Sequence, residues 1–283
     1  MANSLSAVAR EEFDTEVKQA YQSMGGISPT VTNRDGVVGD TYHFRKLGKG
    51  LANKKSTSED VTPMNVSHTK PSATLENWNA PEYTDIFDQA TVNFDEKAEL
   101  AYTIAGAIGR RKDQLIIDAL DAVDFSSNSM QVTAAIGGTD SNLNTAKLRR
   151  ASRLLNAKGV GNGNRHILVS ALGLEALLGT TEATSADYNS IRALVNGEIN
   201  SFVGFQFHII EDRDEDGLPI ATGDVRSSFA YESASTGIAT GLNFRTEVNY
   251  IAQKTSWLCN GILKAGAVAR DEDGMVELLC DES

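Results

Sequence analysis

The chain has 283 residues, enough for one large domain or two modest ones with a buried core. Its 38 acidic against 26 basic residues give a formal charge of −12, which repels phosphate backbones and disfavours nucleic-acid binding by the chain as a whole. Hydrophobic content of 41% and a mean hydropathy of −0.26 suit a folded soluble protein, and no apolar run approaches the ~20 residues of a membrane helix.

Residues 1–10 lack the basic-then-apolar order of a secretion signal, so use in a cytoplasm is expected. Residues 8–24 read as an amphipathic helix: Phe13, Val17, Ala20, Tyr21 and Met24 recur at helical spacing, and Glu11, Glu12, Asp14 and Glu16 suit its positive end. Gly25-Gly26 ends it. In residues 25–92 about a third are apolar, against half of residues 93–124. Alternation in Tyr42-His43-Phe44 and in 61–66 suggests strands. The segment is too polar to bury a core of its own, which predicts an extended arm and hairpin packed on something else. Between Asp40 and Glu59 it carries Arg45, Lys46, Lys49, Lys54 and Lys55 and no acidic residue, so an acidic surface of a second copy is the expected partner; a solvated loop is the bland alternative.

Residues 93–124 predict a long helix with a stripe of Leu100, Ile104, Ile108, Leu115, Ala119 and Val123. Asn93 and Glu96 have capping-box spacing, and Gly106 and Gly109 suggest that another backbone passes closely. From 125 to 245 the pattern is compact α/β. Helices are expected at 145–158, capped by Gly159, and at 171–178 and 187–196; strands are expected at 165–170, along Phe205, Phe207 and Ile209, and over 228–240. Apolar strands follow around 257–263. A hairpin of 265–269 and 275–279 is expected to turn at Asp273-Gly274.

Chemistry is hard to place. His43, His68, His166 and His208 are scattered, with no zinc or hydrolase motif, and a lone histidine in a strand such as His166 is usually structural. Cys259 and Cys280 have no ligand-like neighbours and suit buried positions. Gly159, Gly161 and Gly163 follow a helix and precede a strand, the wrong order for a dinucleotide loop. Asp212, Asp214, Asp216 and Gly217 match the first half of a calcium loop, but Gly223 stands where the bidentate Glu belongs and Pro219 interrupts it. A solvated acidic turn is expected there, with no metal, no cofactor and no catalytic residues.

The order of elements resembles the Hong Kong 97-type capsid fold, an α+β fold shared by major capsid proteins of tailed double-stranded-DNA phages and by encapsulin nanocompartments. The resemblance is carried by residues 165–170 before a short helix, by Phe202-Val203-Gly204-Phe205 leading into Ile209-Ile210, and by Gly266-Ala267-Val268 with Gly274-Met275-Val276. It implies an N-terminal arm (1–35), an extended β-hairpin loop lying on a neighbouring subunit (36–92), a peripheral domain with a spine helix (93–124 and 246–283) and an axial domain (125–245). It implies a non-enzymatic shell protein of the virion capsid, assembled in the host cytoplasm as hexamers and pentamers around DNA that it does not bind sequence-specifically. A separate scaffolding protein, a portal and a decoration protein are the implied partners. The alternatives are an encapsulin shell and a calcium-dependent binding module.

Overall fold

A computed structural model describes residues 23–89, 96–179, 201–221 and 223–283. Nearly all of the helix expected over 8–24, the helix over 187–196 and the cap at Asn93 lie outside these residues. The arm enters through a 3-10 turn, Ser28–Thr30, into strand β1 (Thr32–Asp35). A hairpin follows, built from β2 (Thr41–His43), β3 (Lys46–Leu47), β4 (His68–Thr69) and β5 (Ser72–Thr74). Then come β6 (Glu76–Asp85), the short α1 (Ile86–Gln89) and the 26-residue α2 (Glu96–Asp121), the expected spine, about 39 Å long. The remaining elements are β7 (Gln131–Val132), α3 (Thr145–Ala157), β8 (Arg165–Ser170), α4 (Ala171–Gly179), β9 (Ser201–Phe202), β10 (Phe205–Ile210), β11 (Val225–Glu232), β12 (Thr236–Ile251), β13 (Ser256–Ala269) and β14 (Met275–Asp281).

These strands form two main sheets. One has the order β1-β12-β13-β6, with β1 parallel to β12 and the rest antiparallel. The other has the order β7-β14-β11-β8-β10-β9, with parallel pairs β7/β14 and β8/β10. The chain passes between sheets three times: α2 lies on the way from β6 to β7, and two short crossings follow. Ser233-Ala234-Ser235 leads from β11 to β12, and a 3-10 turn, Glu272–Gly274, leads from β13 to β14. The crossings are stitched together, since the Ser235 carbonyl accepts from the Arg270 and Asp271 amides at 2.7 and 3.0 Å.

This corrects two expectations. The strand expected over 228–240 is two strands of different sheets. The hairpin expected at Asp273-Gly274 does not form: residues 265–269 pair with 236–240 of β12, while 275–281 pair with β11. A tight two-residue hairpin turn of the favoured kind needs positive φ at both central residues. Neither Asp273 nor Gly274 has it; instead the Asp271 carboxylate accepts from the Asp273 amide at 3.1 Å and caps a 3-10 turn. The strand Met275–Asp281, placed by sequence with the peripheral domain, therefore lies in the six-stranded sheet.

Strand β8 is buried at all six positions because helices cover both faces of its sheet. Residues paired across strands share a face. The Arg165 guanidinium reaches Asn156 of α3 at 2.8 Å, which marks one face as the α3 side, where Leu148, Ala151 and Leu155 are buried. His166 and its partner Tyr231 point the other way, and Tyr231 meets Thr30 of the arm at 2.5 Å. That side also takes Ile116, Ile117 and Leu120 of α2. The α2 stripe is thus rotated from the expected one at its C-terminal half. Leu115 faces the four-stranded sheet with Leu263 and Ala265, and residues 116, 117 and 120 serve the main core instead. The close approach expected at Gly109 is present, because a Cβ there would overlap the Met24 carbonyl. Along β10 Phe205 is buried as expected, but Ile209 is 55% exposed and Ile210 takes the buried place on the α2 side.

Candidate assembly surface

Antiparallel pairing in one unbroken register builds the hairpin. It runs from the Leu75 amide on the Asp40 carbonyl, through β2/β5 and β3/β4, to the Gly48 amide on the Ser67 carbonyl. Its base is held by apolar burial: Phe44, Ala73 and Leu75 form a cluster with Ala239 of the four-stranded sheet. Tyr42 meets Phe44 edge-on at 4.9 Å, and the Arg270 guanidinium lies 5.1 Å from the Phe44 ring centre. Beyond Gly48 the support ends. Residues 49–65 are all exposed, including Leu51 (79%), Val61 (76%) and Met64 (58%). The strand expected over 61–66 is unpaired.

The five basic residues separate into two groups. Lys46 pairs with Asp271 at 2.7 Å, and Lys49 reaches Asp273 at 3.4 Å and the Lys158 carbonyl at 3.2 Å. Lys158 binds the same Asp273 at 2.6 Å, and its hydrogen bond is the main reason the Asp273 carboxyl is held below its ordinary range. These lysines therefore meet the crossing turn of their own chain. Arg45, Lys54 and Lys55 stay exposed. Arg45, Lys46, Leu47, His68, Thr69 and Lys70 line a groove of about 510 Å³ on the hairpin.

The acidic turn after β10 is a docking device. Asp212, Asp214 and Asp216 point outward, while Glu211, Arg213 and Glu215 alternate inward. The Arg110 Nε donates to both Glu215 oxygens at 3.0 and 3.1 Å. The Gly217 amide donates to Gln114 Oε1 at 3.0 Å, and Gln114 Nε2 donates back to the Gly217 carbonyl at 3.1 Å. Asp216 and Gly217, at φ 82° and 67°, make the sharp turn this requires. Asp212 pairs with Arg226 at 3.1 Å. Among the described residues no three His, Cys, Asp or Glu side chains converge as metal ligands do.

Other groups were not singled out from the sequence. Asp113 of α2 accepts from the Gly26, Ile27 and Ser28 amides at 2.7, 3.1 and 3.3 Å and so ties the arm across the spine. Burial raises its pKa even so. Arg165 gathers the Gly161 and Val160 carbonyls at 2.9 and 2.6 Å, which explains the glycine-rich stretch as a wrap around a buried cation. Lys147, also buried, donates to the Ser141 and Leu279 carbonyls. His166 is not alone: its Nδ1 lies 3.0 Å from His208 Nε2, and its Nε2 lies 3.1 Å from Ser233 Oγ. Burial and the neighbouring ring push His166 down to about 4. Cys259 and Cys280 are buried and form no disulfide.

The described residues thus form an arm pinned on a long helix, a hairpin with an exposed tip and two sheets joined by paired crossings. The family model described as phage capsid protein matches residues 5–282. The chain belongs to the phage capsid protein family. Solved structures agree in fold across the whole of this capsid protein. The capsid of cyanophage P-SCSP1u aligns at TM-score 0.76 with 13% identity, over 99% of this chain and 95% of that one. The capsid of cyanophage Pam1 gives 0.74 with 11% identity, over 100% and 99%. The head of Helicobacter pylori bacteriophage KHP40 gives 0.73 with 11% identity, over 100% and 98%. No curated protein matches the chain. The fold is the Hong Kong 97-type capsid fold, and the chain is a structural major capsid protein of the virion. No helix among the described residues is long and apolar enough to cross a membrane.

Proposed function

We propose that this capsid protein assembles through hexamers and pentamers into an icosahedral shell that encloses a double-stranded DNA genome, acts with no catalytic step, and grips the DNA through no sequence-specific site. The observation that carries this reading is the hairpin tip, where Leu51, Val61 and Met64 stand exposed on a segment with no core of its own. Apolar side chains gathered on a projecting loop mark an interface, and a neighbouring subunit is the surface a shell supplies. Residues 1–35 serve as the arm and 36–92 as the extended loop. The spine helix with the four-stranded sheet makes the peripheral domain, and the six-stranded sheet, β14 included, makes the axial domain. Assembly takes place in the host cytoplasm with a separate scaffolding protein, a portal and a decoration protein. Electron microscopy of the purified chain, alone and with the phage's scaffolding protein, tests this. Closed shells are expected, and a chain that stays monomeric in both would overturn the proposal.

A further inference from the structure

The outer edge of β12 is covered over only part of its length. Strand β1 pairs with residues 237–240, and beyond Thr240 no strand among the described residues lies against that edge. Burial follows the cover: residues 236–240 are buried, whereas 243–245 and 248–250 are exposed. At the opposite edge of the same sheet, β6 is interrupted by Pro81, which has no amide to donate. Residues 242–251 contain neither proline nor glycine. An open edge of this kind is a template for another strand.

The two sides of this stretch differ. Thr246, Val248 and Tyr250 stand opposite Gly261, Cys259 and Trp257 of β13. A Cβ on Gly261 would meet Ile104 and Ile108 of α2 and the Phe244 ring, so Phe244, Thr246, Val248 and Tyr250 take the α2 side. Even there Phe244, Val248 and Tyr250 stay exposed. Arg245 and Glu247 take the other side and pair with each other at 2.8 Å. The register of β12 on β13 shifts between Leu242 and Arg245, so the regular part of the free edge starts only after the stretch held by β1.

We propose that the free β12 edges of two copies pair antiparallel over residues 244–248, about a two-fold axis at Thr246. Residues opposite each other in a ladder share a side, so a strand pairing with its own copy needs the axis on a residue. An axis at Arg245 sets that arginine against itself, and an axis at Glu247 sets two carboxylates together. An axis at Phe244 or Val248 leaves both charges facing uncharged residues. At Thr246, Arg245 faces the partner's Glu247 and Phe244 faces the partner's Val248, each twice by symmetry. The occupant is a second copy because the order of charges along this edge answers itself. Such a contact uses one patch on both subunits, so it joins two capsomers and does not close a ring. The inference rests on the reading of this chain as a shell subunit.

The test uses full-length protein. Arg245→Glu and Glu247→Arg are made separately, and thermal unfolding of isolated subunits checks that each folds. Each alone sets like charges across the axis and should need about tenfold more protein to assemble at low salt. Mixed one to one, the two proteins restore opposite charges across the axis while each strand still carries like charges within itself. Recovery in the mixture therefore separates the contact from the ion pair inside one strand. Thr246→Cys, with Cys259→Ala to remove the nearby thiol, gives a second readout. Residues on the axis lie within disulfide reach, so mild oxidation of assembled particles should join copies in pairs. Charge variants that assemble like the wild type, a mixture no better than its components, or particles without covalent pairs would overturn the contact while wild-type shells keep the assembly reading intact. Wild-type protein that forms no shell would remove that reading, and the contact with it.

Discussion

The base and the tip of the hairpin belong to one segment, but the backbone ladder of the base ends at Gly48 and Ser67 and the tip lies beyond it. At the base, Phe44, Ala73 and Leu75 are buried against Ala239 of their own chain. At the tip, Leu51, Val61 and Met64 are as apolar and face solvent. A large apolar side chain contributes stability by leaving water, so the base is secured by intramolecular burial and the tip can be secured only by another molecule. The segment as a whole has too few apolar residues for a core, but the few are unevenly used. Its order is therefore divided between the subunit and the shell.

Phe44→Ala would break the comparison from the inside and have the largest effect. Removing a ring that is 4% exposed should cost the subunit about 3–4 kcal/mol, read by chemical denaturation, with hydrogen exchange rising over 41–47 and 68–75. Asp113→Ala should come next, about 2–3 kcal/mol, because the Gly26, Ile27 and Ser28 amides lose their shared buried acceptor. Exchange at those three amides separates this loss from a general loosening of the spine.

Acid should act on the body and spare the tip. His166 and His208 both hold pKa values below the ordinary 6.5 because burial disfavours their charged forms, and His166 falls to about 4. A base with a depressed folded-state pKa binds fewer protons folded than unfolded. Its stabilisation is complete above pH 6.5 and is lost as pH falls toward 4. Subunit stability measured across that window should decline, and His166→Asn should flatten the slope. The smallest effect on the subunit belongs to Leu51→Ser with Val61→Ser, less than about 0.5 kcal/mol, since both side chains are already in water. The same pair should depress shell formation. In wild-type protein, exchange over 49–66 should be fast in subunits and slow in particles, while the base is slow in both. Equal protection of the tip in the two states would erase the distinction between base and tip.

Local pattern carried much of the fold. Strand β8, with its run of apolar residues, and helix α3, between the Asn144 cap and Gly159, sit where the sequence places them. Asp273-Gly274 failed because a turn dipeptide says that the chain changes direction and nothing about which strand it rejoins. That was decided by pairing of Ala265–Ala269 with a strand some thirty residues earlier. The intramolecular partners of the basic loop were hidden in the same way. Its acidic partners, Asp271 and Asp273, lie 225 and 224 positions from Lys46 and Lys49, a distance over which charge composition carries no address. Arg165 and Lys147 were illegible for another reason. Both are buried cations held largely by carbonyl oxygens, which every residue possesses, and no acidic side chain announces them.

Strand β14 has a consequence for how the protein is made. It lies between β7 and β11, two strands the ribosome has already delivered, and its Leu279 carbonyl receives the buried Lys147 ammonium. Just beyond it, Glu282 pairs with Arg226 at 2.7 Å. Until residues 275–282 emerge, β7 and β11 each keep a row of unanswered amides and carbonyls, and Lys147 has lost an acceptor. A polypeptide released early by a stalled ribosome would carry the arm, hairpin and long helix but no closed six-stranded sheet. Translation thus sets its own checkpoint: only a chain read through to its final strand offers neighbouring subunits a finished surface.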